Sequence, residues 1–82
     1  MSYFVYILQS EADGSFYIGY TANLTNRLHE HNSGKSYYTR RKMPWQIIYT
    51  ETYASKSEAI RREKQLKALR NSAYLQNLIK KP

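Results

Sequence analysis

Three side chains in the stretch Phe16 to His31, FYIGYTANLTNRLHEH, are spaced to act on a phosphate: Tyr17, Arg27 and His31. Phe16, Tyr17 and Ile18 are aromatic or β-branched residues in a row and read as a strand that carries the phenol. Gly19 breaks that run where the backbone must turn or be closely approached. A helix follows, with Thr21 or Asn23 as its N-cap, and on it Arg27 and His31 lie four apart on one face. Leu24 and Leu28 form a neighbouring stripe expected to pin that helix to the sheet. A phenol, a guanidinium and an imidazole so arranged can converge on one phosphate. Further along, Glu63 falls among Ala59, Ile60 and Leu66 on the side of a second helix that should face the core. A carboxylate there needs a partner, because burying it alone costs several kcal/mol, and Arg27 is one candidate.

The elements that must position these groups follow from pattern. Tyr3 to Ser10 reads as a strand apolar on both faces, hence covered on both. Glu11-Ala12-Asp13-Gly14 is a turn with the Asp-Gly signature, which pairs this strand with Ser15 to Tyr20 as an antiparallel hairpin and sets Tyr6 beside Tyr17. The first helix is expected from Ala22 to Asn32, ending at Ser33-Gly34 with Gly34 in the left-handed conformation. Lys35 to Lys42 interleaves cations with aromatics and reads as a loop closed by Pro44. Trp45 to Tyr49, extending toward Tyr53, is the third strand. Ser55 with Glu58 has capping-box spacing and opens a helix to about Arg70; Ser72 caps a last helix, Ala73 to Ile79, and the tail Lys80-Lys81-Pro82 is expected to fray. The order ββαβαα predicts an α/β (α+β) fold, a small three-stranded antiparallel sheet flanked by helices, as one domain over residues 1–82.

Composition narrows the function classes. The chain has no cysteine, so disulfides and thiolate metal sites are excluded. No signal peptide and no apolar run of membrane-spanning length is present, which reads as a cytoplasmic protein. The net charge of +7, from thirteen Lys or Arg against six Asp or Glu, favours a polyanionic partner, with nucleic acid first. Lys35, Tyr37, Tyr38, Arg40, Arg41 and Lys42 are the expected substrate contacts, tyrosines stacking on bases and cations meeting phosphates. Arg61, Arg62 and Lys64 on the second helix extend that basic track.

Two tyrosines on paired strands, then Gly, Arg and a helix-borne Glu, resemble the GIY-YIG nuclease superfamily. The second half-motif is intact as Tyr17-Ile18-Gly19, and the first aligns on Phe4-Val5-Tyr6, where only the tyrosine is kept. The family's arginine falls on Arg27, the helical histidine of many members on His31, and its metal-binding glutamate on Glu63 within Glu58-Ala59-Ile60-Arg61-Arg62-Glu63. The resemblance spans roughly residues 3–71 and looks closest to small standalone bacterial members. It implies a metal-dependent endonuclease or phosphodiesterase acting on nucleic acid, with DNA ahead of RNA. Glu63 would hold Mg²⁺ or Mn²⁺, since one carboxylate with several waters is an ordinary Mg²⁺ site. Arg27 would grip a non-bridging oxygen, Tyr17 would take the proton of the attacking water, Tyr6 would orient that water, and His31 would bond the phosphate or relay a proton. A phenol of ordinary pKa, about 10, is scarcely ionised at pH 7, so the base must lean on nearby cations. Tyr20 stands where some members carry a lysine associated with that activation. A non-catalytic nucleic-acid-binding module on the same fold is the alternative, and a tyrosine-rich protein-interaction domain a third reading.

Overall fold

A computed structural model describes residues 2–35, 39–70 and 73–80 of the chain. Strand β1 (Tyr3–Ser10) lies at the centre of a three-stranded antiparallel sheet, between β2 (Phe16–Thr21) and β3 (Trp45–Tyr53). The central position is why Val5 to Leu8 are buried without alternation: each face of the sheet is covered. On one face Val5, Ile7 and Ile18 pack against Ala59 and Leu66 of helix α2 (Lys56–Ala68) and Leu75 of helix α3 (Ala73–Lys80). On the other, Tyr6 and Trp45 meet His31 and Asn32 of helix α1 (Leu24–Asn32).

The β1–β2 turn is built by its polar side chains. Gly14 takes a φ of 78°, and Asp13 Oδ1 accepts from the Ser15 amide at 2.9 Å and its hydroxyl at 2.6 Å. Helix α1 starts two residues later than the apolar pattern suggests, because Asn23 is its N-cap and accepts from the Asn26 amide at 3.0 Å. Such a cap is worth about 1 kcal/mol, enough to decide the register of a nine-residue helix. The stripe Leu24/Leu28 is only half-buried; the fully buried residue of α1 is His31. Asn32 finishes the anchoring, with its amide donating to the Trp45 carbonyl at 3.0 Å and accepting from the Trp45 amide at 2.6 Å.

Ser55 caps α2 as the Ser55/Glu58 spacing requires, accepting from the Glu58 amide at 3.3 Å and donating to its carboxylate at 2.9 Å. Helix α2 stops at Ala68 rather than Arg70, where the Leu69 amide turns back to the Leu66 carbonyl. The expected Lys35–Lys42 loop contains a 3-10 turn, Arg40–Lys42. Ser72 and the Lys81-Pro82 tail lie outside the described residues.

Arg62, expected on the solvated basic face of α2, instead grips Glu51 of β3 through two nitrogens, Nε at 2.8 Å and a terminal nitrogen at 3.0 Å. The hydroxyls of Tyr49 and Tyr53 donate to the same carboxylate. Burial opposes ionising Glu51, but these hydrogen bonds outweigh it and hold the carboxyl below its usual range. The cluster fixes α2 against the edge strand β3 and thereby sets where Glu63, one residue beyond Arg62, comes to lie.

Candidate active site

Tyr6 and Gly19 are direct partners across β1 and β2, so they occupy the same face of the sheet. The tyrosine ring lies over the glycine so closely that a Cβ built on Gly19 would stand 2.5 Å from its hydroxyl. Gly19 is therefore required by close approach. Two pairs further along, and so on the same face, Leu8 faces Tyr17, and the Tyr17 ring stacks on Tyr6 with centroids 6.3 Å apart.

Behind the two rings sits His31, at 2 % exposure. Its Nε2 is 3.2 Å from the Tyr6 hydroxyl and its Nδ1 2.8 Å from Thr39 Oγ1, so both ring nitrogens are satisfied by hydroxyls. The chain Tyr6–His31–Thr39 has two proton-shifted forms, one with Tyr6 donating to Nε2 and one with Thr39 donating to Nδ1. Burial, then the neighbouring charge of Tyr17, pushes the Tyr6 phenol far above its ordinary value, so it stays neutral. Burial, reinforced by the Arg27 charge and partly offset by Glu30, pulls the His31 imidazole below its ordinary value.

That direction makes stability depend on pH. The unfolded histidine takes up its proton near pH 6.5, above where the folded one does. The neutral, buried imidazole therefore contributes its stability in full above that pH and loses it as the pH falls through 6.5 toward the folded value. The wild-type urea midpoint should drop between about pH 7.5 and pH 5, and the drop should be shallower in His31→Gln. Equal slopes in wild type and His31→Gln would contradict the buried neutral histidine.

In front of the rings opens a cleft of about 440 Å³ beside the β2 edge, whose lining includes Tyr6, Tyr17, Gly19, Arg27 and Glu63. Four expected site residues thus reach one space from β1, β2, α1 and α2. Arg27 and Glu63 do not pair with each other. Arg27 is 3.8 Å from Glu30 on its own helix, and Glu63 is 3.6 Å from Lys67 on its own. Both separations are long for charge-assisted hydrogen bonds, so both groups can turn to a ligand. The Glu63 side chain is 14 % exposed while Lys67 is 52 % exposed, which leaves the carboxylate half-sheltered behind a cation that can swing away. Among the described residues no group of three or more His, Cys, Asp or Glu side chains could cage an ion. The donor set suits a divalent ion that keeps most of its waters and takes one carboxylate, as Mg²⁺ does.

His31 does not line the cleft; it backs two of its walls, hydrogen-bonded to Tyr6 and with its ring centroid 4.9 Å from that of Tyr17. Lys35 lies beside Arg27, Glu30 and His31 around a smaller hollow of about 200 Å³. Lys42 is tied to the hairpin turn, 3.3 Å from Asp13 and donating to Ser15 Oγ at 3.2 Å. Arg40 and Arg41 are exposed on the same 3-10 turn, while Tyr37 and Tyr38 lie outside the described residues.

Five residues contribute that the spacing argument does not assign to the site. Lys56 lines the cleft, as does Tyr20, which was noted only for the lysine it replaces. Thr39 holds the histidine, and its carbonyl accepts from the Trp45 indole at 2.9 Å. Lys67 and Arg70 line a hollow on the far side of Tyr17. A signal for the helical cations existed in the spacing: Lys56, Glu63 and Arg70 recur every seven residues, and Lys67 is four past Glu63. No local pattern marks Thr39, whose partner is eight residues away.

The chain was compared with known proteins. A family model described as the GIY-YIG catalytic domain matches residues 2–77. A UPF0213 protein of Streptococcus pneumoniae is 48 % identical over 65 residues, covering 78 % of this chain and 65 % of that protein, slightly under two thirds of its length. A UPF0213 protein of Staphylococcus epidermidis is 44 % identical over 66 residues, 79 % of each chain. The solution NMR structure of a UPF0213 protein from Bacillus halodurans is similar with a TM-score of 0.55 and 40 % identity, covering 94 % of this chain and 80 % of that one.

Proposed function

Because the chain belongs to the GIY-YIG catalytic domain family, we propose that it is a metal-dependent, cytoplasmic endonuclease that hydrolyses phosphodiester bonds of nucleic acid, DNA before RNA. The observation that carries this reading is the convergence of Tyr6, Tyr17, Arg27 and Glu63 on one open cleft from four separate elements. Hydrolysis needs an activated water, neutralised phosphoryl oxygens and a stabilised leaving oxygen. A divalent ion held by Glu63 would supply Lewis-acid stabilisation of the phosphoryl charge when bound.

The chain's own residues divide the remaining work by their environments. Tyr17, at the cleft wall, is the general base toward the attacking water. Burial pushes the Tyr6 phenol up, which favours its neutral form and suits it less than Tyr17 to the role of base. Tyr6 is the neutral hydroxyl that orients the water, and the His31–Thr39 pair behind it accepts or returns a proton without exposing one to solvent. Arg27, 46 % exposed and only loosely held by Glu30, can fold onto a non-bridging oxygen and present two donors at once. The net charge of +7 favours the polyanionic substrate and makes its binding salt-sensitive.

The reading is tested by nicking of supercoiled plasmid with Mg²⁺, Mn²⁺ or EDTA. Metal-dependent nicking is expected, with Arg27→Ala slower by about 10²-fold, the cost typical of losing one preorganised donor to a developing oxyanion. Retention of DNA in a gel with no scission under either metal would instead support a binding module on the same fold. The observation favouring that alternative is Tyr20 in the cleft lining at the position where some members carry lysine.

A further inference from the structure

Strand β2 is an edge strand, since the sheet order is β2-β1-β3, and the catalytic cleft occupies only part of that edge. Tyr17 is a wall shared by three hollows. Beyond it lie one of about 300 Å³, lined by Tyr17, Ile18, Lys67 and Arg70, and one of about 150 Å³, whose lining includes Tyr17, Lys42, Trp45 and Arg70. The two hollows have Tyr17 and Arg70 in common, and the pair is the groove that borders the cleft at Tyr17.

The charge in this groove is one-sided. Among the described residues its lining contains Lys42, Lys67 and Arg70 and no carboxylate, whereas the cleft itself is lined by Glu63. Arg70 is held in place: it donates to the Phe16 carbonyl at 2.9 Å, across 54 positions of sequence. That bond also occupies an outward carbonyl of the edge strand, which disfavours an added β-strand there. A guanidinium has five N–H donors, so one bond to a carbonyl leaves capacity for an anion. Lys67 is anchored less firmly, 3.6 Å from Glu63, and Lys42 sits 3.3 Å from Asp13; both are half-exposed.

Resting on the nuclease reading for its substrate, we infer that this groove is a phosphate subsite for the nucleic-acid strand next to the scissile bond. Arg70 and Lys67 grip a backbone phosphate there, and Lys42 extends the track. The substrate strand then runs along the β2 edge over Tyr17, and Lys67 changes partner from Glu63 to phosphate as the strand arrives. The seating of substrate thereby releases the Glu63 carboxylate.

The test is binding of a fluorescein-labelled single-stranded DNA oligonucleotide in EDTA, followed by anisotropy between about 50 and 200 mM salt. Each phosphate contact removed should reduce the slope of log K against log salt by about 0.7 for a single strand. Arg70→Gln and Lys67→Gln should each lose about that much and the double variant about twice it. Lys80→Gln, exposed on α3 outside the groove lining, should keep the wild-type slope. Arg70→Gln also removes the bond to Phe16, so thermal unfolding accompanies each measurement, and Lys67→Gln, which contacts no backbone, carries the decision if Arg70→Gln is unstable. Wild-type slopes in folded Lys67→Gln and Arg70→Gln overturn the subsite, as does failure of the wild type to bind at low salt. Because EDTA removes cleavage from the readout, the two readings fail separately. A protein that binds through both residues but never cleaves keeps the subsite and loses the nuclease; a nuclease whose binding ignores both does the reverse.

Discussion

Glu63→Ala is expected to abolish metal-dependent nicking, a loss of about 10³-fold or more, with the fold intact. The size follows from the role proposed for the carboxylate. An ion that stabilises phosphoryl charge contributes several kcal/mol, and each decade in rate is about 1.4 kcal/mol. The described residues offer no cluster of further acids or histidines to hold that ion in its place. Stability should change little, because the ion pair lost among the described residues is a 3.6 Å contact with a half-exposed lysine, and such pairs contribute about 0–1 kcal/mol. Two measurements check the claim: plasmid nicking with a Mg²⁺ titration, and urea unfolding of both proteins. A Glu63→Ala protein that nicks at wild-type rate with unchanged metal dependence sinks the metal assignment and leaves Tyr17, Arg27 and the fold as they are.

Gly19→Ala should damage both activity and stability, although it adds one methyl group. The new Cβ would stand 2.5 Å from the Tyr6 hydroxyl, 2.7 Å from Cζ and 2.9 Å from Cε2. A flexible side chain could move aside, but this ring is 3 % exposed, stacked on Tyr17 and hydrogen-bonded to a buried histidine. Overpacking of this kind costs about 1–3 kcal/mol. At this chain length each kcal/mol is about 4–8 °C in Tm. Displacing the Tyr6 hydroxyl also breaks its 3.2 Å contact with His31 Nε2, so nicking should fall by about 10²-fold even where the protein remains folded. Gly14→Ala is the useful comparison: Gly14 has no atoms within 4 Å of its built Cβ, but its φ of 78° is strained for alanine. It should lose stability by about 1 kcal/mol and keep its activity per folded molecule. If Gly19→Ala is as active and as stable as wild type, the Tyr6–Gly19 approach is not what holds the site.

Much of the chain was legible without coordinates, because it rests on local rules. Aromatic and β-branched runs, the Asp-Gly turn and the Ser55/Glu58 box are short-range signals, and the three strands, α1 and α2 appear where those signals put them, with end shifts of a few residues. Uninterrupted apolar character in β1 announced a strand covered on both faces, while its central place in the sheet came only with the pairing. Tyr17, Arg27 and Glu63 stood out by type and spacing, the resemblance to the GIY-YIG superfamily joined Tyr6 to them, and the structure brings all four to one cleft. What sequence could not supply was which partner each charged group would choose. Arg62 looked like one more solvated cation of α2, yet Glu51, eleven residues earlier, captures it. Arg27 was a plausible partner for Glu63, yet each pairs within its own helix. His31 looked like a group facing the phosphate, and it is instead buried behind Tyr6 because Thr39 and Tyr6 together satisfy both its nitrogens. Those choices depend on which side chains are left unsatisfied after the sheet and helices have packed. Residue types and periodicity therefore determined the elements and the chemistry available to them. The tertiary structure alone decided which polar groups are spent holding the fold together and which still face the cleft, because burial charges every polar atom for a missing partner and the nearest partner is set by packing across the sheet.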